Sequence, residues 1–171
     1  MEYFAGLQFR DFEETDVTRF TGIMKRAFDE DARRHLGEES GGPPGYENGD
    51  FLREWALHKD STAYAIFKED VPIGVAIVWI NDNHENFLGN IFVDPDFQDK
   101  GIGLSIWRFI EQQYPETKVW RTETPGYSKR NHNFYVNKCG FKIVKIEHPG
   151  DRYEESYIME KEIQSRKRLD L

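Results

Sequence analysis

The period of hydrophobic positions changes several times along this chain. Leu7 to Phe12 alternates apolar and polar residues, which predicts a half-buried strand. From Val17 the spacing turns helical, with Val17, Phe20, Ile23, Met24 and Phe28 on one stripe and Thr15 or Asp16 as the cap. The stretch from Gly37 to Gly49 is rich in Gly and Pro, breaks both periods and predicts a long loop. A short helix over about Phe51 to Lys59 sets Phe51, Leu52, Trp55 and Ala56 on one side. Thr62 to Phe67, Ile73 to Trp79 and Phe87 to Val93 read as three strands with short polar links, an antiparallel meander. The helical period returns from Lys100 to Gln113, followed by a strand over Lys118 to Thr122. Asn131 to Lys138 forms a short helix with Gly140 as its terminal cap. Phe141 to Glu147 and Tyr153 to Met159 close the chain as a hairpin.

The order β-α-α-β-β-β-α-β-α-β-β predicts one α/β domain over residues 1–171, with a mixed sheet of about seven strands and helices on both faces. The Phe87 and Lys118 strands are joined through a single helix, so they are expected to run parallel, whereas the hairpins make the rest of the sheet antiparallel. The charged segment from Ile163 to Leu171 predicts a frayed tail.

Composition narrows the possible roles. A net charge of −8 over 171 residues argues against general binding of nucleic acid, which rests on Lys and Arg neutralising phosphates. No run approaches the roughly 18 apolar residues of a membrane span, and the N-terminus lacks a basic region followed by an apolar stretch. The single cysteine, Cys139, precludes a disulfide within the chain. A cytoplasmic protein without membrane association is expected. The five histidines show no metal-ligand spacing, so no metal is expected.

The segment from Asn90 to Trp107 carries the most chemistry. A short apolar run ends at Asp94-Pro95, and a turn then carries Gln98, Gly101 and Gly103 directly into a helix. Such a turn can aim several N–H groups at one point, where the helix dipole favours negative charge, so it predicts a phosphate-bearing ligand. The dinucleotide fingerprint does not fit, because position 106 is Ile where a third Gly belongs, and no Gly-Lys-Ser or Gly-Lys-Thr is present.

Gln98, Gly101 and Gly103 in Val93-Asp-Pro-Asp-Phe-Gln-Asp-Lys-Gly-Ile-Gly103 resemble the signature loop of the GNAT superfamily of acetyl-CoA-dependent N-acetyltransferases. Arg130-Asn-His-Asn-Phe-Tyr-Val-Asn-Lys-Cys-Gly-Phe141 resembles that family's closing motif, and the element order is similar from about Leu7 to Met159. The resemblance implies an acyltransferase that moves an acetyl group from acetyl-CoA to a primary amine by direct attack through a tetrahedral intermediate. In that family two parallel strands splay apart around the pantetheine arm. Backbone groups of Phe92, Val93 and Asp94 would then pair with the arm, and the N–H groups of Gln98, Asp99, Lys100, Gly101, Ile102 and Gly103 would hold the pyrophosphate. Gln98 would add a side-chain donor, and an N–H near Val93 would polarise the thioester carbonyl. Lys100, Lys129 and Arg130 could meet the 3′-phosphate or be plain solvated charges.

The resemblance makes Tyr135 the acid that protonates the departing thiolate, since a phenol of ordinary pKa near ~10 keeps its proton at neutral pH. One residue more than in the commonest family spacing separates Tyr135 from Gly140. Counting back from Tyr135 puts Ser128 at the family's Asn position, with Asn131 or Asn133 as substitutes. Glu123, then Asp94, then Glu85 are candidates for the general base. The acceptor side falls between Phe28 and Trp55, where Tyr46, Glu47 and Trp55 either bind substrate or pack. A homodimer is compatible with the family. The alternatives are a non-catalytic acyl-CoA-binding or sensing module and an interaction protein on the same scaffold.

Overall fold

The computed structural model describes residues 1–164; of the tail expected to fray, 165–171 lie outside the described residues. The element order is β1 (Glu2–Phe4), β2 (Leu7–Asp11), α1 (Val17–Leu36), α2 (Leu52–Ala56), β3 (Ser61–Lys68), β4 (Val71–Trp79), β5 (Glu85–Val93), α3 (Ile102–Gln113), β6 (Val119–Pro125), α4 (Lys129–His132), β7 (Lys142–Glu147) and β8 (Ser156–Glu162). The α2 segment is a single π-helical turn, and α4 continues as a π-helix over Asn133–Cys139.

The eight strands form one sheet in the order β1-β2-β3-β4-β5-β6-β8-β7, antiparallel throughout except for β5 beside β6. The predicted parallel pair and the antiparallel remainder are therefore present, with one strand more than expected. That strand, β1, is too short to show a period. It is held by pairing with β2 through a two-residue turn in which Ala5 and Gly6 both have positive φ (51° and 79°). The predicted link between the next two strands is a turn of the same kind. Glu69 and Asp70 take φ of 50° and 65°, and the Gln8 amide braces Asp70 through two hydrogen bonds.

Two apolar layers sandwich the sheet. On one face α3 and the α4 region pack Trp107, Phe109, Ile110, Tyr135, Cys139 and Phe141 against Phe9, Leu88 and Trp120. The Phe9 and Phe109 rings stack with centroids 3.7 Å apart. On the other face α1 and α2 pack Phe20, Met24, Ala27 and Leu52 against Ala65, Val75, Ile77 and Phe92. Each large side chain so buried contributes about 1.5–3 kcal/mol. The predicted α1 stripe is this buried face, but Asp16 caps it differently than expected. Its carboxylate takes both Arg10 guanidinium nitrogens at 2.7 Å and the Glu13 N–H at 2.8 Å, fastening β2 to the turn before the helix. The start of the expected tail is also tied down, because the Ile163 N–H donates to Lys118 O at 2.9 Å.

Two irregularities in β5 prepare the site. Its register against β4 slips between Ile77↔Asn90 and Val78↔Leu88, which leaves Gly89 as an extra residue in a bulge. Its parallel pairing with β6 stops after Glu85↔Val119, Asn86↔Trp120 and Phe87↔Arg121, although both strands continue. The Thr122 hydroxyl, donating to Leu88 O at 2.9 Å, is the last bridge before the strands part.

Candidate functional site

The turn after β5 is locked before it reaches α3. Asp94 accepts the Asp96 N–H at 2.9 Å and the Arg26 guanidinium of α1 at 2.6 and 3.3 Å. Asp99 and Gly101 then adopt left-handed φ of 62° and 77° and swing the chain into the helix. The first N–H groups of α3 have no partner within their own helix, and a side-chain atom added at Gly101 would meet open space. The Gln98 side chain does not point its donor outward as expected. Its Nε2 donates back to Val93 O at 2.8 Å, and its buried Oε1 has no partner among the described residues.

A cavity of about 440 Å³ opens over this turn. It is lined by Ala27, Phe28 and Asp31 of α1, Ile91 to Val93 of β5, Gln98 to Leu104 with the exception of Lys100, and Arg130, Asn131, Asn133, Phe134 and Lys138. The structure thus gathers Phe92, Val93, Gln98, Asp99, Gly101, Ile102, Gly103 and Asn131 around one space. Lys100 instead turns toward the Phe97 ring, 5.7 Å away. Asp99 stands between Arg130 at 3.6 Å and Arg34 at 4.0 Å, so two guanidiniums gather at the mouth. Arg34 and Phe134 were not anticipated. Phe134 faces Gly103 so closely that an added methyl there would sit 3.1 Å from its ring.

Tyr135 does not line this cavity. It is 6% exposed, packed on Phe141 and Phe134, with Thr122 among its neighbours at the point where β5 and β6 separate. Burial, with neighbouring Cys139 adding to it, pushes its pKa up, so the phenol is protonated at neutral pH. The extra residue before Gly140 is taken up by the π-helix. Gly140 still caps with φ 89°, and the N–H groups of Gly140 and Phe141 both reach Tyr135 O. Ser128, fully buried, donates to Asp31 of α1 at 3.1 Å, and the Asn131 amide donates to Thr124 of β6 at 3.2 Å. These two contacts fix the far end of β6 to both helices. Cys139 is buried and its thiol is pushed up to about 12, chiefly by desolvation, so it is a packing residue.

The carboxylates proposed as bases differ in what already occupies them. Asp94 serves Arg26 and the Asp96 N–H, which engage both oxygens and bind it into the turn rather than leaving it for proton transfer. Glu85 pairs with Arg121 at 2.9 Å. Glu123 is exposed and accepts one bond, from the Ser156 hydroxyl at 2.8 Å. It lies two residues beyond the last β5·β6 pair, which puts it on the face of Arg121 and, in register, across the gap from Gly89.

A second cavity, of about 390 Å³, lies on the α2 side of the sheet and is lined by Phe51, Trp55, Ile77, Trp79, Phe87, Gly89 and Asn90. Of the three residues expected on the acceptor side, only Trp55 lines it. Tyr46 is buried beside Phe28 and donates to Asp29 at 2.6 Å, which together with burial raises its pKa to about 12. Asp29 also accepts Lys25 and the Gly41 N–H, so Tyr46 helps pin the long loop onto α1. Glu47 is exposed and lines neither cavity. Among the described residues no group of three or more His, Cys, Asp or Glu could hold a metal, and no helix is long and apolar enough to cross a membrane.

The sequence model of the GNAT acetyltransferase family matches residues 23–141. A Bacillus subtilis protein, "Uncharacterized protein YrkN", is 39% identical over 136 residues, spanning 78% of this chain and 72% of that protein. The fold is shared with the Escherichia coli ribosomal-protein-S18-alanine N-acetyltransferase (TM-score 0.70, 19% identity, 92% of this chain and 94% of that one). It is shared also with the Thermoplasma acidophilum PaiA N-acetyltransferase in complex with coenzyme A (0.71, 16%, 92% and 99%). A third match is the Vibrio cholerae spermidine N-acetyltransferase in complex with CoA and spermine (0.64, 16%, 92% and 96%).

Proposed function

The chain belongs to the GNAT acetyltransferase family, and from that membership we propose that it transfers the acetyl group of acetyl-CoA to a primary amine. The observation that carries the proposal is the interrupted β5·β6 pairing. Two parallel strands continue past their last shared register pair, and a cavity runs beside β5 to the N-terminus of α3. Unpaired strand edges suit the amides of a pantetheine arm, and the N–H groups between Gln98 and Gly103 suit a pyrophosphate. Open space at Gly101 fits close approach of that group, and Arg130 and Arg34 fit the terminal phosphate. The coenzyme A complexes of similar folds support the same choice of donor.

The acceptor amine must lose its protons, the thioester oxygen must be stabilised as charge develops, and the thiolate must gain a proton. Glu123, directly or through water, takes the amine proton in this scheme. A β5 N–H near Val93 donates to the oxyanion. Tyr135 gives its proton to sulfur, which its burial supports by keeping the phenol neutral.

Burial of Tyr135 away from the large cavity also favours the second reading, a non-catalytic acyl-CoA-binding module. Release of free thiol from acetyl-CoA in the presence of an amine panel, beside calorimetric titration of CoA, separates the two. Binding with amine-dependent thiol release supports transfer. Binding without release across the panel supports the module, and absence of binding rejects both.

A further inference from the structure

We propose that the second cavity is the acceptor site and that it selects an arylalkylamine, a primary amine on a flat aromatic body, over a polyamine or a peptide; this rests on the acetyltransfer reading above. Four aromatic rings from three elements wall it: Phe51 and Trp55 at α2, Trp79 at the end of β4 and Phe87 on β5. The slot is already shaped. Trp55 and Trp79 meet at 69° with centroids 6.2 Å apart, and the His58 ring wedges against both, 4.8 Å from Trp79 and 6.3 Å from Trp55. Aromatic walls set edge to face receive a flat ring through one face and one edge. Trp55 remains 38% exposed, so its surface is on offer rather than spent in the core.

The inner end of the cavity is the β5 bulge, where chemistry can be reached. Gly89 lets the Trp79 indole lie close against the bulge, because a side-chain atom there would stand 3.0 Å from Trp79 Nε1. Next to it, the Asn90 Oδ1 is buried and has no hydrogen-bond partner among the described residues. A buried acceptor without a donor is costly and suits one N–H of a ligand. Glu123, the expected base, stands on the strand across the gap, two residues beyond the last β5·β6 pair.

The lining also says what the site refuses. It contains no carboxylate, so the distal ammonium groups of a polyamine would enter without a counter-charge. Asn90 is its only polar side chain, too little to satisfy the backbone amides of a peptide. One amine at the Asn90 end and an apolar ring in the corner that the two tryptophans form satisfy the whole surface, and cation–π attraction adds to the fit.

The test uses the full chain with saturating CoA. Phenethylamine, spermidine and an unblocked tripeptide are titrated by tryptophan fluorescence, and acetylated product is measured with acetyl-CoA. Phenethylamine is expected to bind and be acetylated at least about tenfold better than the other two. Trp55→Ala should raise its KM by about tenfold while CoA affinity stays unchanged. Gly89→Val should block the amine and spare CoA. Spermidine or tripeptide matching phenethylamine, or Trp55→Ala leaving its KM unmoved, overturns the proposal while acetyltransfer stands. Loss of CoA binding in the unaltered chain would instead reject the acetyltransfer reading, and with it this one.

Discussion

The two cavities flanking the β5·β6 gap are built from opposite materials. The donor-side cavity rests on backbone: left-handed Asp99 and Gly101, the first N–H groups of α3, and the unpaired edge of β5. The aromatic cavity rests on side chains that meet only because α2, β4 and β5 fold together. Backbone donors are the same whatever residue carries them, so one turn geometry can serve a ligand part that never changes. Side-chain walls can be exchanged without touching that turn. Under the proposed function the difference divides labour, with a fixed grip for the donor and a tunable wall for the acceptor.

The comparison can be broken in several ways, the largest first. Tyr135→Phe removes the proton that the proposed scheme gives to the leaving thiolate. It should lower kcat about 10²-fold or more while leaving CoA affinity unchanged, as read by steady-state kinetics beside calorimetry. Retained kcat would show that the acid lies elsewhere. Gly103→Leu fills the donor cavity and presses on Phe134. CoA affinity should fall about 10–100-fold with the circular-dichroism spectrum intact, and fluorescence titration of phenethylamine should be unaffected. Equal losses on both sides would mean that the cavities are not independent.

Asp29→Ala tests the frame that holds α1 and the long loop. It leaves the buried Tyr46 hydroxyl and the Gly41 N–H without their acceptor, which should cost about 2 kcal/mol in urea unfolding. The smallest effect is on pH. Burial works to raise the pKa of Asp29 and of Asp16, but hydrogen bonds outweigh it: Lys25, Tyr46 and the Gly41 N–H in one case, Arg10 and the Glu13 N–H in the other. Both are thus lowered on folding. Their stabilisation is fully present above the unfolded carboxylate value of about 3.9 and is lost as pH falls through the lower folded values. The Tm should be level from about pH 7 to 5 and drop below about pH 4, less steeply in Asp29→Ala.

Much of the donor side was legible in the sequence because it is local. Gln98, Gly101 and Gly103 lie within six residues between a strand and a helix, and Gly140 ends its helix at the predicted position. The acceptor side was far less legible. Trp55 does line the second cavity, but its neighbours there, Trp79 and Phe87, read as ordinary strand residues, and Tyr46 belongs to the Asp29 cluster. Asp94 drew attention as a base because Arg26, 68 positions away, gives no sign of itself in the local pattern. The one-residue insertion after Tyr135 was visible, but its outcome as a π-helix was not, since that choice depends on how Phe134, Tyr135 and Phe141 pack at once.

By itself the sequence determined the α/β order, the parallel crossover and the glycine turn, because periodicity and φ preference act over a few neighbouring residues. Only the tertiary structure decided where β5 leaves β6, which carboxylates are already engaged, and that four aromatic rings share one wall. Those outcomes depend on register, on a single bulge at Gly89 and on contacts between residues far apart in the chain, where short-range pattern carries no information.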